Sequence, residues 1–115
     1  MTIVDPNWQS DALNLDLDFA EQTLAVRGGY HRTDEGEHSE AIFTTSSYVY
    51  QSAKDAADHF DGTKKGNIYS RHTNPTVRAF ERRLALLENG ERAVATASGM
   101  GAILTMCLAY LKTGD

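Results

Sequence analysis

The spacing of apolar residues divides the chain into short elements. Phe19 to Arg27 (Phe-Ala-Glu-Gln-Thr-Leu-Ala-Val-Arg) has a helical pattern and is stopped by Gly28-Gly29. Ala41 to Tyr50 is rich in β-branched and aromatic residues and reads as extended. Ser52, with Asp55 three positions on, predicts a helix through about Phe60, a capping-box arrangement with Asp in place of Glu, closed by Asp61-Gly62. Asn74-Pro75 is a strong helix start, because Asn caps well and proline is preorganised at the first helical position. Val77, Phe80, Leu84 and Leu87 then recur at helical spacing until Asn89-Gly90. Ala93 to Ala97 reads as a short buried strand, followed by a turn of small residues and an apolar helix to Leu111, closed by Gly114. Residues 1–18, acidic with isolated leucines and Trp8, read as an arm that is ordered only when something holds it.

One central-type strand cannot make a sheet, and the first sixty residues supply no obvious neighbours for it. The expectation is therefore the N-terminal portion of a longer α/β protein. Composition agrees with a globular protein: 115 residues, 41% hydrophobic and 23% charged. The apolar run from Ala102 to Leu111 is far short of the roughly 20 residues of a membrane span, and the N-terminus has no signal pattern, so a cytoplasmic location without a membrane partner is expected. Cys107 reads as a small core residue. The net charge of −5 is uneven: residues 1–40 hold nine acidic groups and two arginines, residues 41–115 seven acidic and nine basic groups. The acidic total argues against nucleic acid, while Lys64, Lys65, Arg71, Arg78, Arg82 and Arg83 leave a local anion site open.

The candidate chemistry lies at Ala97-Ser98-Gly99-Met100-Gly101. The first turn of a helix leaves about four N–H groups without partners and carries roughly half a positive charge, which suits a phosphate without any basic side chain. Glycines at 99 and 101 would let a ligand approach the backbone. A tight packing turn is the alternative, and Ser98 either donates to the phosphate or caps the helix. A mononucleotide-binding domain is a further alternative, although no Gly-Lys-Ser/Thr follows. His31 and His38 match no metal-ligand spacing and read as part of a solvated loop. Arg78, Arg82 and Arg83 read as a solvated helix face or as ion-pair partners of Glu81 and Glu88.

Five ordered segments carry a resemblance to a known family. They are Leu24-Ala25-Val26-Arg27 with Gly29, Phe43 to Tyr48, Asn67-Ile68-Tyr69-Ser70-Arg71, Thr73-Asn74-Pro75-Thr76, and Ala95 to Met100. In this order and spacing the sequence resembles the Cys/Met-metabolism family of pyridoxal-phosphate enzymes over about residues 20–115. The resemblance implies an α/β fold, the N-terminal part of the PLP-dependent transferase fold type I (aspartate-aminotransferase-like) large domain. It also implies a homo-oligomer, a tetramer of tight dimers. Residues 1–62 would be an arm and short helices that contact a neighbouring subunit, and residues 63–115 the start of the cofactor-binding domain.

By the same carry-over, Tyr69 and Arg71 bind the phosphate of pyridoxal 5′-phosphate in the neighbouring subunit, and Ser98, Gly99 and Met100 bind it within their own. Guanidinium can form a forked contact to phosphate and phenol adds a directed donor. The implied reaction is γ-replacement: an amino-acid substrate loses its γ-substituent, and sulfide or a thiol adds there. Within the family the likeness is to the branch that turns O-succinylhomoserine and sulfide into homocysteine and succinate in methionine biosynthesis, with cystathionine γ-synthase or γ-lyase chemistry as the alternative. The lysines present are Lys54, Lys64, Lys65 and Lys112, and none falls in the family's Schiff-base segment. The chain alone is therefore expected to be inactive, without a catalytic residue of its own and without a metal. A non-catalytic fragment or interaction module stays open as a different class.

Overall fold

A computed structural model describes residues 19–29 and 32–115. The arm expected over residues 1–18, with Tyr30 and His31, lies outside the described residues. Four helices follow in order: α1 (Glu21–Arg27), α2 (Ala53–Phe60), α3 (Pro75–Leu87) and α4 (Gly99–Tyr110). Each falls within a stretch that apolar spacing or a capping pattern assigned to a helix.

The caps explain the boundaries. Asn74 has extended backbone (φ −140°, ψ 130°), and its Oδ1 accepts from Thr76 N–H at 2.8 Å and Val77 N–H at 3.4 Å at the start of α3. At its end, Gly90 N–H donates to Ala85 O at 2.8 Å and Asn89 N–H to Leu86 O at 3.3 Å. Asn89, not the glycine, takes the left-handed conformation (φ 49°). At α2, Ser52 Oγ accepts from Asp55 N–H at 3.0 Å, and Asp55 Oδ2 accepts from Gln51 N–H at 3.0 Å, one residue earlier than a standard capping box. The Lys64 ammonium pairs with the other carboxylate oxygen. This ammonium and the Gln51 N–H hold the Asp55 carboxyl below its ordinary value of 3.8.

The packing centre is the corner where α1 meets α3. Ala85 and Leu86 are the buried hydrophobic residues among those described, and Arg82 is buried beside them. Gly29 (φ 70°) closes the corner: a Cβ there would lie 2.6 Å from Arg82 Cβ and 2.8 Å from Arg83 N. Arg83 Nε donates to Gly28 O at 3.1 Å, and its guanidinium pairs with Glu40. Arg78 Nη2 donates to Asn67 Oδ1 at 2.6 Å. The expectation of a solvated arginine face is corrected accordingly. These guanidiniums are structural, joining α3 to the loops before it, because a long stem can pack while its fork satisfies carbonyls. Glu81 Oε1 accepts from Ala95 N–H at 2.7 Å, tying α3 to the segment before α4.

The strand expected at Ala93–Ala97 is not formed, and Val94 is exposed. Among the described residues the sheet pairing is one antiparallel bridge, Ser47 to Tyr69. A strand is a partnership: the sequence of Ala93–Ala97 suits a central position, but no neighbour among the described residues supplies the ladder. The segment 41–50, expected to be extended, is non-helical and contributes one side of that bridge.

Helix α4 is apolar on every side and has no buried residue. Cys107 within it is half-buried, so the small-core-residue reading is not realised among the described residues. The Cα radius of gyration is 16.1 Å, whereas a compact chain of this length has about 13 Å. No helix among the described residues is long and apolar enough to cross a membrane.

Candidate functional site

Two features carry the expected phosphate chemistry. The first is the entrance of α4. Ser98 takes extended backbone (φ −159°, ψ 157°), and its Oγ accepts from Gly101 N–H at 3.0 Å. The side chain therefore caps the helix, while its hydroxyl proton stays available because a hydroxyl both accepts and donates. Ser98 O accepts from Ala102 N–H at 3.0 Å and from Thr96 Oγ1 at 2.8 Å, which fixes the turn before the helix.

Among the described residues nothing accepts from the N–H groups of Gly99 and Met100. A Cβ at Gly99 would meet no atom within 4 Å, so the space beside Gly99 is open. Met100 is exposed through its side chain. Gly101 has a different part: a Cβ there would lie 3.2 Å from Ser98 Oγ. It serves the cap, which revises the expectation that both glycines admit a ligand. Donors without partners, open space and a helix N-terminus suit a phosphate such as that of pyridoxal phosphate.

The second feature is the turn Tyr69 to Asn74. Tyr69 O accepts from His72 N–H at 2.8 Å and Thr73 N–H at 2.9 Å. Ser70 N–H donates to Ser46 O at 2.9 Å, and the Ser70 hydroxyl donates to Thr45 O. Thr73, only 2% exposed, accepts through Oγ1 from Ile68 N–H at 2.8 Å. Asn74, 8% exposed, donates through Nδ2 to Phe43 O at 3.1 Å and to Ser70 Oγ at 3.0 Å. Tyr50 OH donates to Ile68 O at 3.1 Å, and its ring lies 5.2 Å from that of His59. On the outer side, Arg71 Cζ stands 5.3 Å from the centroid of the Tyr69 ring. Both side chains border a cleft of about 340 Å³ together with Ser47, Tyr48, Phe60 and His72.

Tyr69 and Arg71 are thus brought together at one cleft, and Ser98, Gly99 and Met100 at one helix end. No residue of the helix end lines the Tyr69 cleft. The sequence reading missed the polar cluster beneath the turn. Asn74 was legible as a cap, but its amide has a second use that only the fold reveals. No group of three or more metal-ligating side chains occurs among the described residues.

The family of Cys/Met metabolism PLP-dependent enzymes matches residues 22–115. This chain belongs to that family. An O-succinylhomoserine sulfhydrylase from Pseudomonas aeruginosa is 57% identical over 110 residues, which are 95% of this chain and 27% of that protein. One from Mycobacterium tuberculosis is 47% identical over 96 residues, 84% of this chain and 24% of that protein. An L-methionine gamma-lyase from Fusobacterium nucleatum subsp. polymorphum is 40% identical over 93 residues, 81% of this chain and 24% of that protein. A crystal structure named as an O-acetylhomoserine (thiol)-lyase from Campylobacter jejuni, with a pyridoxyl-lysine monophosphate, superposes with a TM-score of 0.76 at 34% identity. The match covers 85% of this chain and 24% of that one.

The chain spans about a quarter of the length of the curated relatives it matches. Its fold is that of the corresponding quarter of a PLP-dependent enzyme, in agreement with the fold type I class expected from the sequence.

Proposed function

We propose that this chain is the N-terminal, phosphate-holding part of a PLP-dependent γ-replacement enzyme that makes homocysteine and succinate from O-succinylhomoserine and sulfide. The observation that carries this reading is the 57% identity over 110 residues to an O-succinylhomoserine sulfhydrylase, against 40% over 93 residues for an L-methionine gamma-lyase.

In this reading the N–H groups of Gly99 and Met100 and the Ser98 hydroxyl donate to the cofactor phosphate of their own subunit. Tyr69 and Arg71 donate to the phosphate in the neighbouring subunit of a tight dimer, two of which form a cytoplasmic tetramer. Support comes from the separation of the two features: Tyr69 and Arg71 border an open cleft that contains no part of the helix end. Bound pyridoxal phosphate supplies the electron sink that lets an amino acid lose its γ-substituent. The residues of this chain hold and orient the phosphate; a lysine elsewhere in the full-length protein carries the cofactor. The pyridoxyl-lysine of the Campylobacter structure, at position 205 of that chain, supports that placement. The 115 residues alone are then inactive.

The test is an assay of the full-length protein with O-succinylhomoserine. Homocysteine formation dependent on sulfide is the expected result. Cystathionine formed from cysteine in preference, or release of a keto acid without any thiol, would replace this reading with γ-synthase or γ-lyase chemistry.

A further inference from the structure

The described residues bury more polar side chains than apolar ones, and two of the three buried polar residues, Thr73 and Asn74, lie beneath the Tyr69–Arg71 pair. Burying a polar group is unfavourable unless its bonds are satisfied, so such a cluster holds one arrangement firmly or not at all. The bonds converge on Ser70. Its hydroxyl donates to Thr45 O and accepts from Asn74 Nδ2, while its N–H donates to Ser46 O.

The geometry sets Ser70 apart from its neighbours. Arg71 stands over the Tyr69 ring on the cleft side, whereas the Ser70 hydroxyl between them turns to segment 43–47 and to Asn74. The same Asn74 caps α3 through Oδ1 and bonds Phe43 O, and Phe43 N–H donates to Thr76 Oγ1 at 2.9 Å. One hydroxyl therefore ties the turn to two other parts of the chain, and no bond of this set passes through the side chains of Tyr69 or Arg71.

We propose that Ser70 is a positioning residue: by locking the turn between segment 43–47 and the start of α3, it sets the placement of Tyr69 and Arg71 toward the cofactor phosphate. This rests on the reading that those two residues bind that phosphate. A flexible turn would lose affinity to the cost of ordering both side chains at binding, and a fixed turn avoids it.

The experiment uses the full-length protein and measures the dissociation constant of pyridoxal phosphate for Ser70→Ala, Ser70→Thr, Arg71→Ala and the double variant Ser70→Ala/Arg71→Ala. Ser70→Ala is expected to weaken binding about tenfold, the scale of the two hydrogen bonds lost with the hydroxyl, with Ser70→Thr within about threefold of the parent. In the Arg71→Ala background the further loss from Ser70→Ala should shrink to about twofold, because a residue acting through its neighbour gives non-additive losses. Full additivity, or unchanged binding in Ser70→Ala, would overturn the positioning role while leaving the phosphate reading intact. Unchanged binding in Arg71→Ala would remove the phosphate reading and this inference with it. If Ser70→Ala does not fold, Ser70→Cys gives the readout in the same direction, since a thiol nearly keeps the volume and is a weak donor and acceptor.

Discussion

Gly29 and Gly99 mark two regions built on opposite principles. At the α1–α3 corner, a methyl group on Gly29 would lie 2.6 Å from Arg82 Cβ; at the entrance of α4, one on Gly99 would meet nothing within 4 Å. The first glycine is required by the protein's own backbone, in a left-handed conformation and under close contact. The second stands free, with two amide donors beside it that no described residue uses. The difference separates structure from function within one short chain. At the corner the Arg83 guanidinium finds its partners within the chain; at the entrance of α4 the reading proposed above gives the open donors to a phosphate.

The largest effect is expected on α4, the apolar helix without a buried residue. Leu104 on α4 is 58% exposed in these 115 residues. In the full-length protein, Leu104→Asp should cost about 3–5 kcal/mol of stability or prevent folding, and in the 115-residue chain less than about 0.5 kcal/mol. Denaturant unfolding of both lengths checks this, and equal effects would break the contrast. Next comes Gly29→Val, which should destabilise the corner by about 3 kcal/mol through backbone conflict with Arg82 and Arg83. Its measure is the loss of protection of α1 and α3 amides from hydrogen exchange.

Gly99→Val inverts that pattern. It should change stability by less than about 1 kcal/mol yet weaken pyridoxal phosphate binding in the full-length protein about tenfold or more, because a branched side chain covers the open amides. Titration of the apoprotein with the cofactor, beside a thermal scan, separates the two. The smallest effect is expected at α2, which belongs to neither region. The Asp55 carboxyl is held below its ordinary value by Lys64 and by the Gln51 N–H. Its folded value lies below its unfolded one, so its contribution is present above about pH 4 and disappears as pH falls through the lowered folded value. Helix α2 should therefore fray only in strong acid, and Asp55→Asn should remove that step from an acid titration followed by NMR.

These contrasts also show how far the residues alone could be read. Caps speak locally: Asn74-Pro75, Ser52 and Ser98 each announce a helix because the bond they make reaches only two or three residues along. Strand 93–97 failed for the complementary reason, since an apolar run specifies a surface that needs a neighbour, and none lies among the described residues. The site divides in the same way. Tyr69, Arg71 and the Ser98–Met100 turn were singled out through a motif order, but the arginines of α3 were read as a solvated face or as partners of Glu81 and Glu88 because nothing local reveals that Gly28, Glu40 and Asn67 come to meet them. The donors of Asn74 to Phe43 and Ser70 span 31 and four residues, and no spacing rule foretells the longer one.

The central claim is that the amides at Gly99 and the clamp at Tyr69–Arg71 hold one phosphate from two different subunits. Subunit complementation tests it most directly. Full-length Arg71→Ala and Gly99→Val proteins, each weak in cofactor binding, are unfolded together, refolded and titrated with pyridoxal phosphate. If the two features come from different subunits, mixed dimers carry one intact site each, and about a quarter of all sites should regain parental affinity under random pairing. No recovery in the mixture, with both variants assembled as dimers, would place both features in the same subunit and contradict the account.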